Sequence, residues 1–274
     1  MAANLPVYAP ELTVLKNGVT LLNAPSSSRN SGVFLIVRAG SRDESARTSG
    51  LAHYLEHMFF KGTERRPTTK IISREIDALG ANTNAYTDTE EVAYFAEGPA
   101  TAMHKLADVI CDMLSRPLFE AEEIERESNV VLQELSMRLA DPDGWIWDRL
   151  GTVAFGGDQP MSWSAAGFPA VIQKATREQL TDYHRKFYAP ASMCLVISGG
   201  ATMSPDQALE LLADIPHGKP RARQPAKWGL VHNYPVNVRP VTAQDDPPVH
   251  MVFAVPAIPC VAPPPTPGGE GEAG

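Results

Sequence analysis

The sequence predicts an α+β fold, a mainly antiparallel sheet flanked by helices. Three observations predict it. Asn17-Gly18 stands between "LTVLK" and "VTLLN", and an Asn-Gly pair between apolar segments is the strongest short hairpin signal. Residues 33–38, "VFLIVR", are a nearly continuous apolar run, which suits a strand in the middle of a sheet. Strand-like and helix-like segments then come in blocks (strands, helices, strands, helices, strand, helix) and not in strict βαβ alternation.

The elements follow in order. Residues 11–24 form the hairpin and 33–38 the central strand. Ser49 is placed to cap a helix running to about Phe60, with Gly62 past its end. A second helix covers 69–79 and closes at Gly80. "ANTNAYTD" and "EVAYFAEG" read as two strands around a polar turn. Met103, Leu106, Ala107, Ile110 and Leu114 recur at helical spacing, and Pro117 stops that helix. Residues 120–140 make a long helix ended by Asp141-Pro142. The aromatic, Gly-rich stretch 145–168 reads as helix, then loop. Thr176-x-x-Gln179 is a capping box opening a helix to about Phe187, residues 192–198 are a strand, and Ser204-Pro205 opens a last helix. From this follows a domain over 1–216, a Pro-rich basic linker over 217–233, the partial start of a second domain over 234–260, and a Pro/Gly-rich tail over 261–274 expected to be disordered.

Composition narrows the function. A formal net charge of -8 with no long basic stripe argues against nucleic acid. Cys111, Cys194 and Cys260 form no CxxC pair and read as reduced thiols. No apolar run reaches the length of a membrane span, and "MAANLPVYAPELTV" shows no signal-peptide pattern. The default expectation is the cytoplasm, with a periplasmic or organellar location left open.

The chemistry concentrates in "GLAHYLEHMFFKGT", residues 50–63. On a helix His53, Glu56 and His57 stand at i, i+3 and i+4 and project from one face. Two imidazoles one turn apart can hold one divalent metal, and the glutamate between them can take a proton from water there. Leu51, Ala52, Tyr54, Leu55, Met58 and Phe59 surround these three almost all round the helix, which predicts burial, and buried ionisable groups need partners or a metal. A catalytic zinc wants a third protein ligand. Glu127 and Glu134, two turns apart on the long helix, share a face and are the candidates; Glu122, Glu123 and Glu125 read as a solvated cluster at its positive end. His104, His184, His217, His232 and His250 are isolated and read as surface or satisfied residues. No G-x-S-x-G elbow supports a serine nucleophile.

The order H-x-x-E-H is the inverzincin signature. With 76 residues between His57 and Glu134, and with "HMFFKGT" and "GANTNAYTD" beside it, the sequence resembles the M16 (pitrilysin, insulysin, mitochondrial processing peptidase) family of zinc metallopeptidases from about Leu12 to Pro216. The resemblance implies an M16-like domain in which His53, His57 and Glu134 hold Zn2+. Glu56 would activate the attacking water, and Glu127 would orient a ligand histidine. It implies that "NTNAYT" is an edge strand that pairs with an extended peptide substrate, with Asn84, Ala85 and Tyr86 as the substrate-contact candidates. The rings of Tyr86, Tyr94 and Phe95 read more often as core. Family members have two such domains per half and two halves around a chamber, the second half bringing an Arg–Tyr pair to the substrate carbonyl. Nothing here matches that half. Three readings follow: a zinc-bearing subunit completed by a second M16-type subunit in a homo- or hetero-oligomer, an impaired truncated homologue, or a non-catalytic scaffold. The last ranks lowest, because every residue of the zinc motif is present. Asp141, Asp143 and Asp148 are candidates for contacting a basic substrate side chain.

Overall fold

The computed structural model describes residues 9–157 and 159–216, together with Arg223. The expectations for the rest of the linker, for 234–260 and for the tail lie outside the described residues, as do Cys260, His217, His232 and His250.

Among the described residues, six strands form one sheet. They are β1 (Glu11–Val14), β2 (Thr20–Pro25), β3 (Asn30–Val37), β4 (Asn82–Thr87), β5 (Val92–Pro99) and β6 (Met193–Gly199), in the spatial order β1-β2-β6-β3-β5-β4. Only β2 and β6 run parallel; every other neighbouring pair is antiparallel. The expected hairpin is β1–β2, with Gly18 at φ +98, a turn conformation that glycine adopts without a Cβ penalty. The apolar run is the middle strand β3, in which Leu35 stands between Leu195 and Tyr94. Its burial alternates: Val33, Leu35 and Val37 are sealed against the helices, whereas Phe34 is half-buried on the opposite face and stacks on Phe95 at 5.3 Å.

The helices are α1 (Leu51–Phe59), α2 (Thr69–Ala78), α3 (Met103–Ser115), α4 (Ala121–Ala140), α5 (Pro142–Phe155), α6 (Pro169–Ile172), α7 (Arg177–Phe187) and α8 (Pro205–Leu211). Both capping boxes form, Thr176 with Gln179 and Ser204 with Gln207. α3 packs across β3 and β5 and buries eight apolar residues, Cys111 among them. α1 sits beyond it, against β4, α4, α6 and α7. Its buried side holds Phe59 in an aromatic nest of Tyr94, Phe119, His184 and Tyr188, with ring centroids 5.2–5.8 Å away.

The start of α1 corrects the sequence reading. Ser49 does not cap it; its hydroxyl is buried without a hydrogen-bond partner. The cap position is Gly50, at φ +96 and without a side chain to offer. Glu44 performs the capping from six residues upstream, accepting from the Gly50 amide at 2.7 Å and the Ala52 amide at 2.8 Å. The chain must turn tightly at Gly50 because Gly167 lies directly against it: a Cβ on Gly167 would come within 2.2 Å of the Gly50 Cα.

Candidate metal centre

α1 exposes its predicted polar side toward α4. His53, Glu56 and His57 are half-buried, and the six apolar residues around them are sealed. α4 answers with two acids two turns apart. Glu127 is buried on its inner stripe beside Ile124 and Val131, while Glu134 reaches from nearer the rim. The His53 and His57 Nε2 atoms are 3.3 Å apart, and Glu134 Oε2 lies 3.6 Å from the first and 3.3 Å from the second.

This triangle fits a zinc ion. Ligands at the usual zinc distances with tetrahedral angles stand about 3.3–3.6 Å from one another. The donor chemistry fits as well. Burial, with His57 and Arg138 nearby, pushes His53 down to about 4, so its ring is a neutral donor at neutral pH. Glu127 Oε2 lies 3.1 Å from His57 Nδ1; this contact selects the tautomer with its proton on Nδ1 and frees Nε2 toward Glu134. His53 is held differently: its buried Nδ1 has no hydrogen-bond partner.

Glu56 stands one turn after His53 and next to His57, on the same side of the helix. Burial pushes its carboxyl above the usual range, opposed by a hydrogen bond from the Thr87 hydroxyl and by His57. Thr87 is the last residue of β4, an edge strand whose outer side is unpaired by any described strand. Side chains alternate along a strand. Ala85 therefore shares the inward face with Thr87, whereas Asn84 and Tyr86 project to the exposed one. Asn84 lies mid-strand and its side-chain oxygen accepts from the Ala85 amide at 2.9 Å. Tyr86 is not core, as its ring predicted; it is 44% exposed and donates to Glu91. Tyr94 is the buried ring, bonded to the Tyr188 hydroxyl at 2.8 Å.

The acidic candidates for substrate charge are engaged locally. Asp141 caps α5 through the Gly144 amide, and Asp148 pairs with Arg138 at 2.9 Å. Three participants escaped the sequence reading: Glu44, Thr87 and Lys61. Only Lys61 carried a readable signal, standing four residues past His57 on the continuation of the same face.

Comparison with known proteins bears on this arrangement. Residues 19–159 match the family model described as "Insulinase (Peptidase family M16)", and residues 174–259 match "Peptidase M16 inactive domain". The chain belongs to peptidase family M16. Among M16 relatives, the probable mitochondrial-processing peptidase subunit beta of Arabidopsis thaliana is 34% identical over 194 residues, covering 70% of this chain and 36% of that protein. An uncharacterized zinc protease of Rickettsia bellii is 32% identical over 223 residues, covering 80% of this chain and 54% of its own length. Cytochrome b-c1 complex subunit 1 of Mus musculus is 30% identical over 190 residues, covering 69% of this chain and 39% of its own length. A Helicobacter pylori protease structure superposes with a TM-score of 0.71 at 23% identity, covering 81% of this chain and 54% of that one, a likeness of fold. The chain thus spans about a third to a half of the curated relatives it matches. Among the described residues, no helix is long and apolar enough to cross a membrane.

Proposed function

We propose that this chain carries the zinc site of an M16-type endopeptidase that hydrolyses unfolded peptides. The observation that carries the reading is the donor triangle of His53, His57 and Glu134, with Glu56 on the same helix, one turn after His53 and next to His57. Zinc, when bound, supplies a Lewis acid that polarises the scissile carbonyl and makes a water nucleophilic at neutral pH. The protein's own residues do the rest. Glu56 receives the proton of the attacking water and passes it to the leaving amine, and Thr87 holds the carboxylate in position. Glu127 keeps the His57 ring oriented. The open edge of β4 pairs with an extended peptide through backbone groups, which gives affinity with little sequence selectivity. Ala85 lies along that path, and Asn84 and Tyr86 border it from the exposed face.

Because one relative is named as a subunit of a processing peptidase, the reading extends to a working assembly with a second M16-type subunit, a copy of this chain or a homologue. The scaffold reading draws on the likeness to a b-c1 complex subunit, but it gives no reason for three donors to converge.

The test is cleavage of an unstructured basic peptide by the zinc-loaded chain, with Glu56→Gln as control and bound zinc measured in both. Glu56→Gln keeps zinc and loses hydrolysis, by roughly 100-fold or more for a general base. Glu134→Gln loses zinc affinity itself. Equal zinc affinity in the wild type and Glu134→Gln refutes the ligand assignment.

A further inference from the structure

The segment "HMFFKGT" contains one charge that the proposed reaction leaves unused, Lys61. α1 ends at Phe59, and the chain makes one more turn in which the Lys61 amide donates to the Met58 carbonyl at 3.1 Å. That turn continues the spacing His53, His57, Lys61, so all three leave the same side. Opposite them, α4 offers Glu134 and Glu127. The contacts form a ladder: Glu134 faces His53 and His57, and Glu127 faces His57 and Lys61. The Lys61 Nζ is 2.6 Å from Glu127 Oε1, while the other oxygen of the same carboxylate is 3.1 Å from His57 Nδ1.

We infer that Lys61 is a positioning residue for the metal centre, acting through Glu127 on His57; the inference rests on the zinc-site assignment above. A carboxylate anchored at one oxygen only can rotate away from the imidazole. With Lys61 on Oε1 and His57 on Oε2, both oxygens are committed and the plane of the carboxylate is fixed. Charge gives a second reason. Glu56, Glu127 and Glu134 bring three negative charges to a partly buried site, and a divalent ion offsets two of them. Lys61 supplies the third, since the nearby Arg138 is paired with Asp148. An ion pair this far from water holds only when both partners are present, so removing the ammonium leaves Glu127, only 8% exposed, with an uncompensated charge beside a ligand.

The test is zinc affinity, measured by competition with a chromophoric chelator, on the full chain as wild type, Lys61→Met, Lys61→Arg, Glu127→Gln and the Lys61→Met/Glu127→Gln double variant. Melting of each metal-free protein checks that it is folded. Loss of an outer partner of a ligand histidine costs about 10- to 100-fold in metal affinity. Lys61→Met is expected to fall by about 10-fold and Lys61→Arg to stay within about 3-fold of wild type. The double variant should match Glu127→Gln alone, because Lys61 acts through that carboxylate. Wild-type affinity in Lys61→Met overturns the inference. So does a Lys61→Met loss that persists in full without the Glu127 carboxylate, since it marks a general structural effect. A wild type whose zinc affinity is untouched by His57→Ala overturns the site assignment, a separate failure that removes the basis for the inference.

Discussion

His184 gives a prediction whose size follows from its surroundings. It lies in the last turn of α7, 5% exposed, with Nε2 2.8 Å from the Leu114 carbonyl and its ring edge-on to Phe59, Phe119 and Tyr188. Burial pushes its pKa from 6.5 to about 4, against the raising effect of the Leu114 bond. The unfolded chain therefore binds the proton more tightly than the folded one. The stability tied to a neutral His184 is fully present above about pH 6.5 and is lost as the pH falls through about 4. At about 1.4 kcal/mol per pH unit, that gap is worth about 3 kcal/mol between pH 7 and 4. His184→Gln keeps an N–H for the Leu114 carbonyl and cannot ionise. Urea unfolding of the metal-free protein at pH 7, 6, 5 and 4 should show the variant less stable at pH 7, through its lost ring contacts. It should then lose about 3 kcal/mol less on acidification than the wild type. His53, also held at about 4, contributes the same slope to both proteins and cancels. Parallel stability curves would refute the reasoning, because they would mean that the nest accommodates the charged ring.

Further outcomes follow from α1 and its neighbours. Glu44→Ala removes both bonds to the first turn of α1 and should lower stability by about 1–2 kcal/mol in urea unfolding. Gly167→Ala drives a Cβ into the Gly50 backbone at a residue with φ +83, and should cost about 3 kcal/mol, read as a drop in melting temperature. Thr87→Val removes the hydroxyl on Glu56. It should leave zinc affinity unchanged and lower kcat by roughly 10- to 100-fold in any preparation that cleaves peptide, the effect of one hydrogen bond to a charged group.

The sequence made legible whatever repeats with a period or sits at a fixed spacing. The Asn17-Gly18 turn, the two capping boxes and the His–Glu–His face were all local patterns, and each forms as read. Helix spacing offered both Glu127 and Glu134 of α4 as partners for α1, but only the family resemblance singled out Glu134, since no local rule links residues more than seventy positions apart. The parallel pairing of β2 with β6 was not legible for the same reason, and the cap from Glu44 was missed because it reaches over six residues, outside the spacing of the usual capping patterns. Phe119, buried with φ +49 against Phe59 and His184, is a further case, because nothing in "RPLFEAEE" requires an aromatic residue to take a positive φ. The face assigned to Tyr86 went wrong because an aromatic ring in a strand reads as core, and only the edge position of β4 leaves it exposed.

What fixes the site, then, is the seating of α1. At nine residues it is too short to be a stable helix by itself. Its polar face contributes His53, Glu56 and His57, so any tilt of the helix moves all three against Glu134 and Thr87 together. Its position is set at two ends by groups that are not themselves among the three donors. At the N-terminus the Gly50–Gly167 contact and the Glu44 carboxylate decide where the first turn begins. At the C-terminus Phe59 is locked in its aromatic nest and Lys61 is tied to α4. Gly167→Ala should therefore weaken zinc binding as well as stability. A Gly167→Ala protein that is destabilised but binds zinc as tightly as the wild type would show that the ligands adjust independently of the helix that carries them.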